Sequence, residues 1–350
     1  MHICHINLAK GFSGGEQQAL NLILELGKQG IRQTLVCRTG GELERRGRSL
    51  GLTCHPVRHF LTGHLKRMDA DLLHGHCGRS VYWAAIEHQL KGIPFLITRR
   101  VDNPMGKSWA TRRAYGGAAS IVCVSRAIER IVVDSMEVDS MELASTEVIP
   151  DSYSRFQVDD GETLAIKRAW AGKFLVGQIG KFLEHKGHHI TVEAARRLQI
   201  SHPHIQFLLL GDGPRRKELE AQALDLPNIT FLGHRKDIGN YLSILDLLVF
   251  PSITEGLGSS ILEAMLSEVP VIASETGGIP DLLEQDRNGI LVPPGDADAL
   301  TRSIVALAEN PDLRHRLTAE ASLRLPRFSP EAIAERYLSV YDKLTITHQA

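Results

Sequence analysis

The sequence predicts an α/β protein of two domains, each built on a parallel sheet. Three observations carry that prediction. Short β-rich runs alternate with helical periodicity through the chain, the alternation breaks at a polar, turn-rich stretch near the middle, and it then restarts. At 350 residues there is enough chain for two cores of ordinary size.

In chain order, the first half offers strands at "HICHINL", "QTLVC", "DLLHGH", "PFLITR", "SIVCVS" and "EVIP". Helical stretches intervene, beginning with Glu16–Gln29, which Gly30 ends as a C-cap. The second half offers "FLVGQIG", "IQFLLLG", "ITFLG", "LDLLVF", "VPVIAS" and "GILV". Between the halves, after Pro150, "DSYSRFQVDDGET" reads as the linker. The predicted domains are therefore residues 1–155 and 156–328. A last helix over 329–345 starts with Ser329 as N-cap and Pro330 at the first helical position. Its apolar stripe of Ile333, Tyr337, Val340, Tyr341 and Leu344 must be buried, and packing back on the first domain is the expected solution. "VDSMEVDSME" at 133–142 repeats a five-residue unit, which matches neither a helix nor a strand period and is given no function.

Composition narrows the class. The chain is 43% hydrophobic and 23% charged, as in soluble globular proteins. No apolar run reaches the ~20 residues that cross a bilayer, and "MHICHINLAKG" lacks a signal peptide's charged start. Five scattered cysteines without a C-x-x-C pair suggest reduced thiols in a cytoplasmic protein and argue against zinc. Net charge is −1, but residues 1–130 hold 19 Lys+Arg against 9 Asp+Glu, and the remainder is correspondingly acidic. The first half is thus expected to meet something anionic, such as a glycolipid or a membrane surface.

Open parallel sheets bind ligands beyond the carboxyl ends of their strands. After the first strand, Gly14 and Gly15 open a helix whose free N–H groups favour an anion, although a tight turn needing positive φ would also explain them. His74 and His76 alternate along a strand and so face one way. No third metal ligand is evident, so His76 is expected to orient substrate and His74 to be structural. Arg99 and Arg100 end the next strand, on the expected acceptor side. In the second half, Lys181 and Lys186 lie on one β–α loop, suited to a diphosphate. In "ITEGLGSSILEAM", Gly256, Leu257 and Gly258 lead into a helix with free N–H groups at its start. Glu263 leans back toward that start, where a carboxylate can accept two hydrogen bonds from a vicinal diol such as ribose. Glu255, in the preceding loop, can reach a second sugar. No G-x-G-x-x-G follows either domain's first strand, which disfavours a dinucleotide oxidoreductase.

Together, Glu255 and Glu263 eight apart, "TGGIPDLL", "GKFLEHKG", "GILVPPGD", "GGEQQ" and "DLLHGH" resemble the GT-B glycosyltransferases of family 4 over nearly the whole chain. The resemblance implies two facing Rossmann-like domains with a cleft between them, and a metal-independent, retaining, hexosyl-type transferase without cofactor. It implies that Lys181 and Lys186 hold the donor diphosphate, with Lys181 where the family usually has Arg. Glu263 would hold ribose, Gly14 and Gly15 would close over the reaction centre, and Glu255 would stand near the donor sugar. His76 and Glu255 are the catalytic candidates. Arg100 stands where many members carry His. Similarity of "HINLAKGFSGGE" and "TRRVDNP" to bacterial envelope enzymes points to an anionic glycan or glycolipid acceptor of the lipopolysaccharide-core type, reached from the cytoplasmic face of the inner membrane. Nucleic acid is not an expected partner. The rival readings are a nucleotide-sugar epimerase of the same fold and a nucleotide-sugar-binding protein without turnover.

Overall fold

The computed structural model describes residues 1–64, 69–138 and 145–349. The 133–142 repeat runs out of the described residues after Val138. The chain divides into two compact units, Met1–Ser152 with Phe328–Ala350, and Tyr153–Arg327.

The first unit holds seven strands: β1 (His2–Asn7), β2 (Arg32–Arg38), β3 (Cys54–Val57), β4 (Leu72–Gly75), β5 (Phe95–Arg99), β6 (Ser120–Cys123) and β7 (Ser145–Val148). They pair in parallel in the order β3-β2-β1-β4-β5-β6-β7. β3 is the one strand in this unit that the sequence pattern missed. Pro56 interrupts its run, and a strand containing proline survives because it lies at the sheet edge, where one side of its ladder is unused.

The second unit holds β8 (Phe174–Ile179), β9 (Ile205–Leu210), β10 (Ile229–Gly233), β11 (Leu247–Phe250), β12 (Val271–Ser274) and β13 (Ile290–Val292), ordered β10-β9-β8-β11-β12-β13. Its core joins Phe207, Leu209, Val249 and Ile272 from the sheet to Val192, Leu198, Ile304 and Leu307 from helices.

Both sheets are doubly wound, each with one point where the chain reverses its direction of travel across the sheet. In the first unit that point lies between β1 and β4, and in the second between β8 and β11. Loops leaving neighbouring strands there diverge to opposite faces and leave a crevice, the usual ligand position in such sheets.

The final helix, Pro330–Gln349, belongs to the first unit. The Ser329 hydroxyl accepts the Ala332 N–H at 3.1 Å, capping it. Ile333, Tyr337, Val340 and Tyr341 are buried against Ile3, Leu72 and Leu96 of the sheet and Leu22 and Leu26 of the first helix, with Leu344 partly buried beside them. Among the described residues no helix is long and apolar enough to cross a membrane, and all five cysteines are free thiols.

Candidate active site

In the second unit the site grows from three loops at the carboxyl ends of the adjacent strands β8, β11 and β12. The β8 loop carries Lys181 and Lys186, the latter in a single 3-10 turn, Glu184–Lys186. Gly187 then takes φ +68°, and a Cβ there would stand 1.9 Å from the Pro251 carbonyl oxygen, so only glycine lets this loop lie against the one after β11. The Ile253 N–H donates to the His185 carbonyl at 2.7 Å across the same contact. Gly277 plays the matching part on the other side. It holds φ +53° with room for no side chain against the Glu255 carbonyl, and the Gly278 N–H donates to that carbonyl at 3.1 Å. The backbone carrying Glu255 is therefore clamped from both sides.

The side chains follow from this clamp. Lys186 ion-pairs with Glu255 across the two loops, both largely buried, and its ammonium lies 5.4 Å from the centre of the Phe250 ring. Ser252 donates to the same carboxylate at 3.4 Å. Beneath them, Gln178 donates to the Lys186 carbonyl at 2.8 Å and accepts from Thr191 at 2.7 Å. The sequence presented Lys186 and Glu255 as separate binding groups, but in the unliganded protein each is the other's counter-ion. Lys181 is exposed beside them.

The helix after β11 runs Ser259–Leu266, with Gly258 as a left-handed N-cap and Gly256 and Leu257 buried behind it. Glu263 lies one turn in. Its apolar surroundings push the carboxyl up to about 8, against a hydrogen bond from Ser154 that acts in the opposite direction. The expected anionic ribose ligand is thus a neutral acid at pH 7 before a ligand arrives. Nearby, His188 is fully enclosed, edge-on to Phe182 at 4.6 Å, with neither ring nitrogen hydrogen-bonded. The sequence reading passed over His188, because the first of two adjacent histidines at a helix start looks like surface.

In the first unit, the β1/β4 switch point brings together the Gly14–Gly15 loop and His76. The helix Gly14–Lys28 begins behind Ser13, whose N–H and hydroxyl both donate to Glu16, at 2.8 and 2.6 Å. Neither Gly14 nor Gly15 has positive φ, so the tight-turn explanation fails. What distinguishes the site is openness: a Cβ on Gly14 would touch nothing, and one on Gly15 would meet only the Arg100 side chain, at 3.6 Å.

His74 and His76 do face one way, with ring centres 3.8 Å apart. The expectation that no third ligand lies near is corrected by His5. It comes from β1, and one ring nitrogen from each of His5, His74 and His76 lies within 4.8 Å of the other two. Local sequence could not show this, since β1 and β4 meet only through strand pairing. Three histidines are a zinc-type donor set, but most of these nitrogens are already used. His74 bonds Tyr341 and Thr98, each at 2.7 Å, and His5 bonds His76 and Gln33, each at 3.0 Å. Only His76 Nδ1 stands without a partner. The set is organised as a hydrogen-bonded cluster rather than an open ligand cage.

Arg99 and Arg100 point to opposite faces, and neither stands open at the surface. Arg99 serves its own loop, donating to the Asn103 carbonyl and to Tyr115 at 3.3 Å. Arg100 pairs with Asp151 at 2.8 Å, while its Nη1 is buried without a partner.

Two doubly wound parallel-sheet units, the second ending in a cation–carboxylate pair beside a helix start, define a GT-B sugar-transferring enzyme. Residues 162–324 match the family described as "Glycosyl transferases group 1", and residues 12–150 match "Glycosyltransferase Family 4". The lipopolysaccharide core biosynthesis glycosyltransferase LpsE of Rhizobium meliloti (strain 1021) is 29% identical over 97% of this chain and 98% of its own. The α-D-kanosaminyltransferase of Streptomyces kanamyceticus is 26% identical over 80% of this chain and 79% of its own. The HepE protein of Anabaena superimposes with a TM-score of 0.86 at 20% identity, covering 98% of this chain and all of that one. The chain belongs to the GT-B glycosyltransferases of family 4, and it transfers sugar from a nucleotide-sugar donor.

Proposed function

We propose that this enzyme moves a hexose from a uridine diphosphate sugar to a hydroxyl of an anionic cell-envelope glycan or glycolipid, of the lipopolysaccharide core type, with retention of anomeric configuration and without metal. The Lys186–Glu255 pair is the observation that carries this reading. A diphosphate entering between the lysines and the Ser259 helix start draws Lys186 from Glu255, and Glu255 is then released toward the sugar. The Anabaena neighbours solved with UDP and with UDP-glucose support the choice of base. The LpsE relative supports the choice of acceptor.

Lysines and helix N–H groups supply the positive charge that the leaving diphosphate needs, so no divalent ion is required. The acceptor hydroxyl attacks on the face from which the diphosphate departs and gives it the proton. Catalysis then consists of positioning and charge stabilisation. His76 acts on the acceptor side. The test is incubation of purified enzyme with UDP-glucose, a truncated lipopolysaccharide core oligosaccharide and EDTA. The expected result is UDP release that depends on acceptor and survives EDTA, with an α-linked product. Loss of turnover restored by manganese, or a β-linked product, contradicts the mechanism, and turnover of donor alone points to an epimerase.

The basic stretch of residues 1–130 suits contact with an anionic membrane. At the start of the helix Trp109–Gly116, Trp109 is exposed with the Arg113 guanidinium 5.8 Å from its ring, an aromatic and basic combination that fits an interface. Binding to phosphatidylglycerol-containing vesicles is expected to exceed that to neutral vesicles, to weaken as salt rises, and to drop in Trp109→Ala. Equal binding to both vesicle types removes this part of the proposal.

A further inference from the structure

Strand register places one row of residues on one face of the first sheet. Ile3 pairs with Gln33 and Leu72, His5 pairs with His74, and His74 pairs with Leu96. Since alternate residues share a face, Gln33, His5 and His76 all stand on it. They form a hydrogen-bonded chain whose direction is fixed at its far end. The Ile23 carbonyl can only accept, so the Gln33 group facing it at 2.8 Å is the NH2. Gln33 Oε1 therefore faces His5 Nε2, at 3.0 Å, and can only accept from it. A neutral imidazole carries one N–H, so His5 Nδ1 is bare and must accept from His76 Nε2, again at 3.0 Å. That leaves His76 Nδ1 as a lone pair, buried and without a partner, at the carboxyl end of β4.

We infer that Gln33 and His5 are positioning residues that hold His76 in the tautomer whose bare Nδ1 accepts a hydrogen bond from the acceptor sugar's hydroxyl. This rests on the acceptor-side reading of His76 given above. Neutrality of both rings is what makes the chain directional. Burial brings His5 down to about 3, and burial together with the neighbouring His74, His5 and Arg100 takes His76 well below its ordinary value. The role assigned to His76 is orientation. A hydroxyl that donates to Nδ1 in the bound complex keeps its oxygen lone pairs free for attack, and as the glycosidic bond breaks its O–H turns from Nδ1 to the departing diphosphate oxygen, which takes the proton.

Gln33 lies on β2, two side chains away from His76 Nδ1, so it influences substrate only through His5. Replacing Gln33 by leucine frees His5 to carry its proton on Nδ1, which forces His76 to accept at Nε2 and to protonate Nδ1. Replacing it by glutamate keeps an acceptor opposite His5 Nε2 and, as the protonated acid, an O–H to donate to the Ile23 carbonyl. The test has two readouts. In the wild-type protein labelled with 15N-histidine, with signals assigned through His76→Gln and His5→Asn, both rings should be Nε2–H tautomers across pH 6–8. In turnover of UDP-glucose with a truncated lipopolysaccharide core oligosaccharide, Gln33→Leu should lower kcat roughly tenfold, the worth of about one hydrogen bond. Its KM for UDP-glucose should be unchanged, its His76 signal should shift to the other tautomer, and Gln33→Glu should restore both. A protonated Nδ1 on His76 in the wild type overturns the inference, whatever the variants do. So does a Gln33→Leu enzyme of full kcat with its tautomer switched. If the tautomers are as stated but His76→Ala keeps full turnover, it is the acceptor-side reading of His76 that fails, and with it any part of the chain in catalysis.

Discussion

Glu263→Gln should weaken nucleoside diphosphate binding by about ten- to a hundredfold, yet leave the unliganded protein more stable at alkaline pH. The two effects have opposite signs because the site is built for a ligand it must wait for. Without ligand, burial holds the carboxyl neutral up to about pH 8. Two ribose hydroxyls donating to it favour the carboxylate and pull it down again. Binding therefore releases a proton between the lowered value of the liganded carboxyl and about pH 8, and wild-type affinity should rise through that window toward pH 8 and then level off. The Gln variant has nothing to ionise, loses one acceptor oxygen, and should show a flat, weaker profile. A hydrogen bond to a charged group contributes about 1.5–3 kcal/mol, which sets the size of the loss.

The stability sign comes from the same shift. The folded carboxyl holds its proton more tightly than the unfolded one, whose ordinary value is near 4.3. Between about pH 4.3 and 8 the folded state binds more protons, so wild-type stability declines as pH rises through that window, by at most about 1.4 kcal/mol per pH unit. Above pH 8 the full cost of a buried carboxylate is present, and Glu263→Gln removes it. Calorimetric titration with UDP and thermal melts from pH 5 to 9 check both halves. Unchanged UDP affinity in the variant would remove the ribose assignment. A melting profile parallel to wild type would mean that Glu263 is ionised in the unliganded protein.

Lys186→Ala should cost a similar ten- to a hundredfold in UDP affinity while barely changing the affinity for uridine, since its ligand is phosphate. It should also destabilise the fold, because it leaves Glu255 largely buried without its counter-ion, held only by Ser252. Glu255→Gln is the informative partner. It frees Lys186, so UDP should bind as well as in wild type or better, while turnover of UDP-glucose falls. The double variant should be less destabilised than the sum of the two, since each single change leaves the other charge alone. If Glu255→Gln weakens UDP as much as Lys186→Ala does, the pair acts as one structural clip, and the exchange of partners proposed for donor entry is wrong.

What the sequence alone determined was whatever depends on short spacing. All six strands of the second unit were legible from their apolar runs, as was the helix start after Gly258. The C-terminal stripe from Ile333 to Leu344 announced a buried face at helical period. The positions of Lys186, Glu255 and Glu263 just beyond strand ends were equally visible, because in a parallel sheet the residue after a strand is already close to the ligand crevice. Tertiary structure decided what depends on which strands pair. His5 was unremarkable in "HICHIN" until β1 was laid beside β4, and Gln33 until β2 was laid beside β1. The β3 edge strand was hidden by Pro56, which local propensity rejects and an edge position tolerates. The protonation states belong to the same class. Nothing near Glu263 in sequence announces a carboxyl held neutral to about pH 8. Desolvation is a sum over everything packed around a group, and most of what surrounds these residues comes from distant parts of the chain.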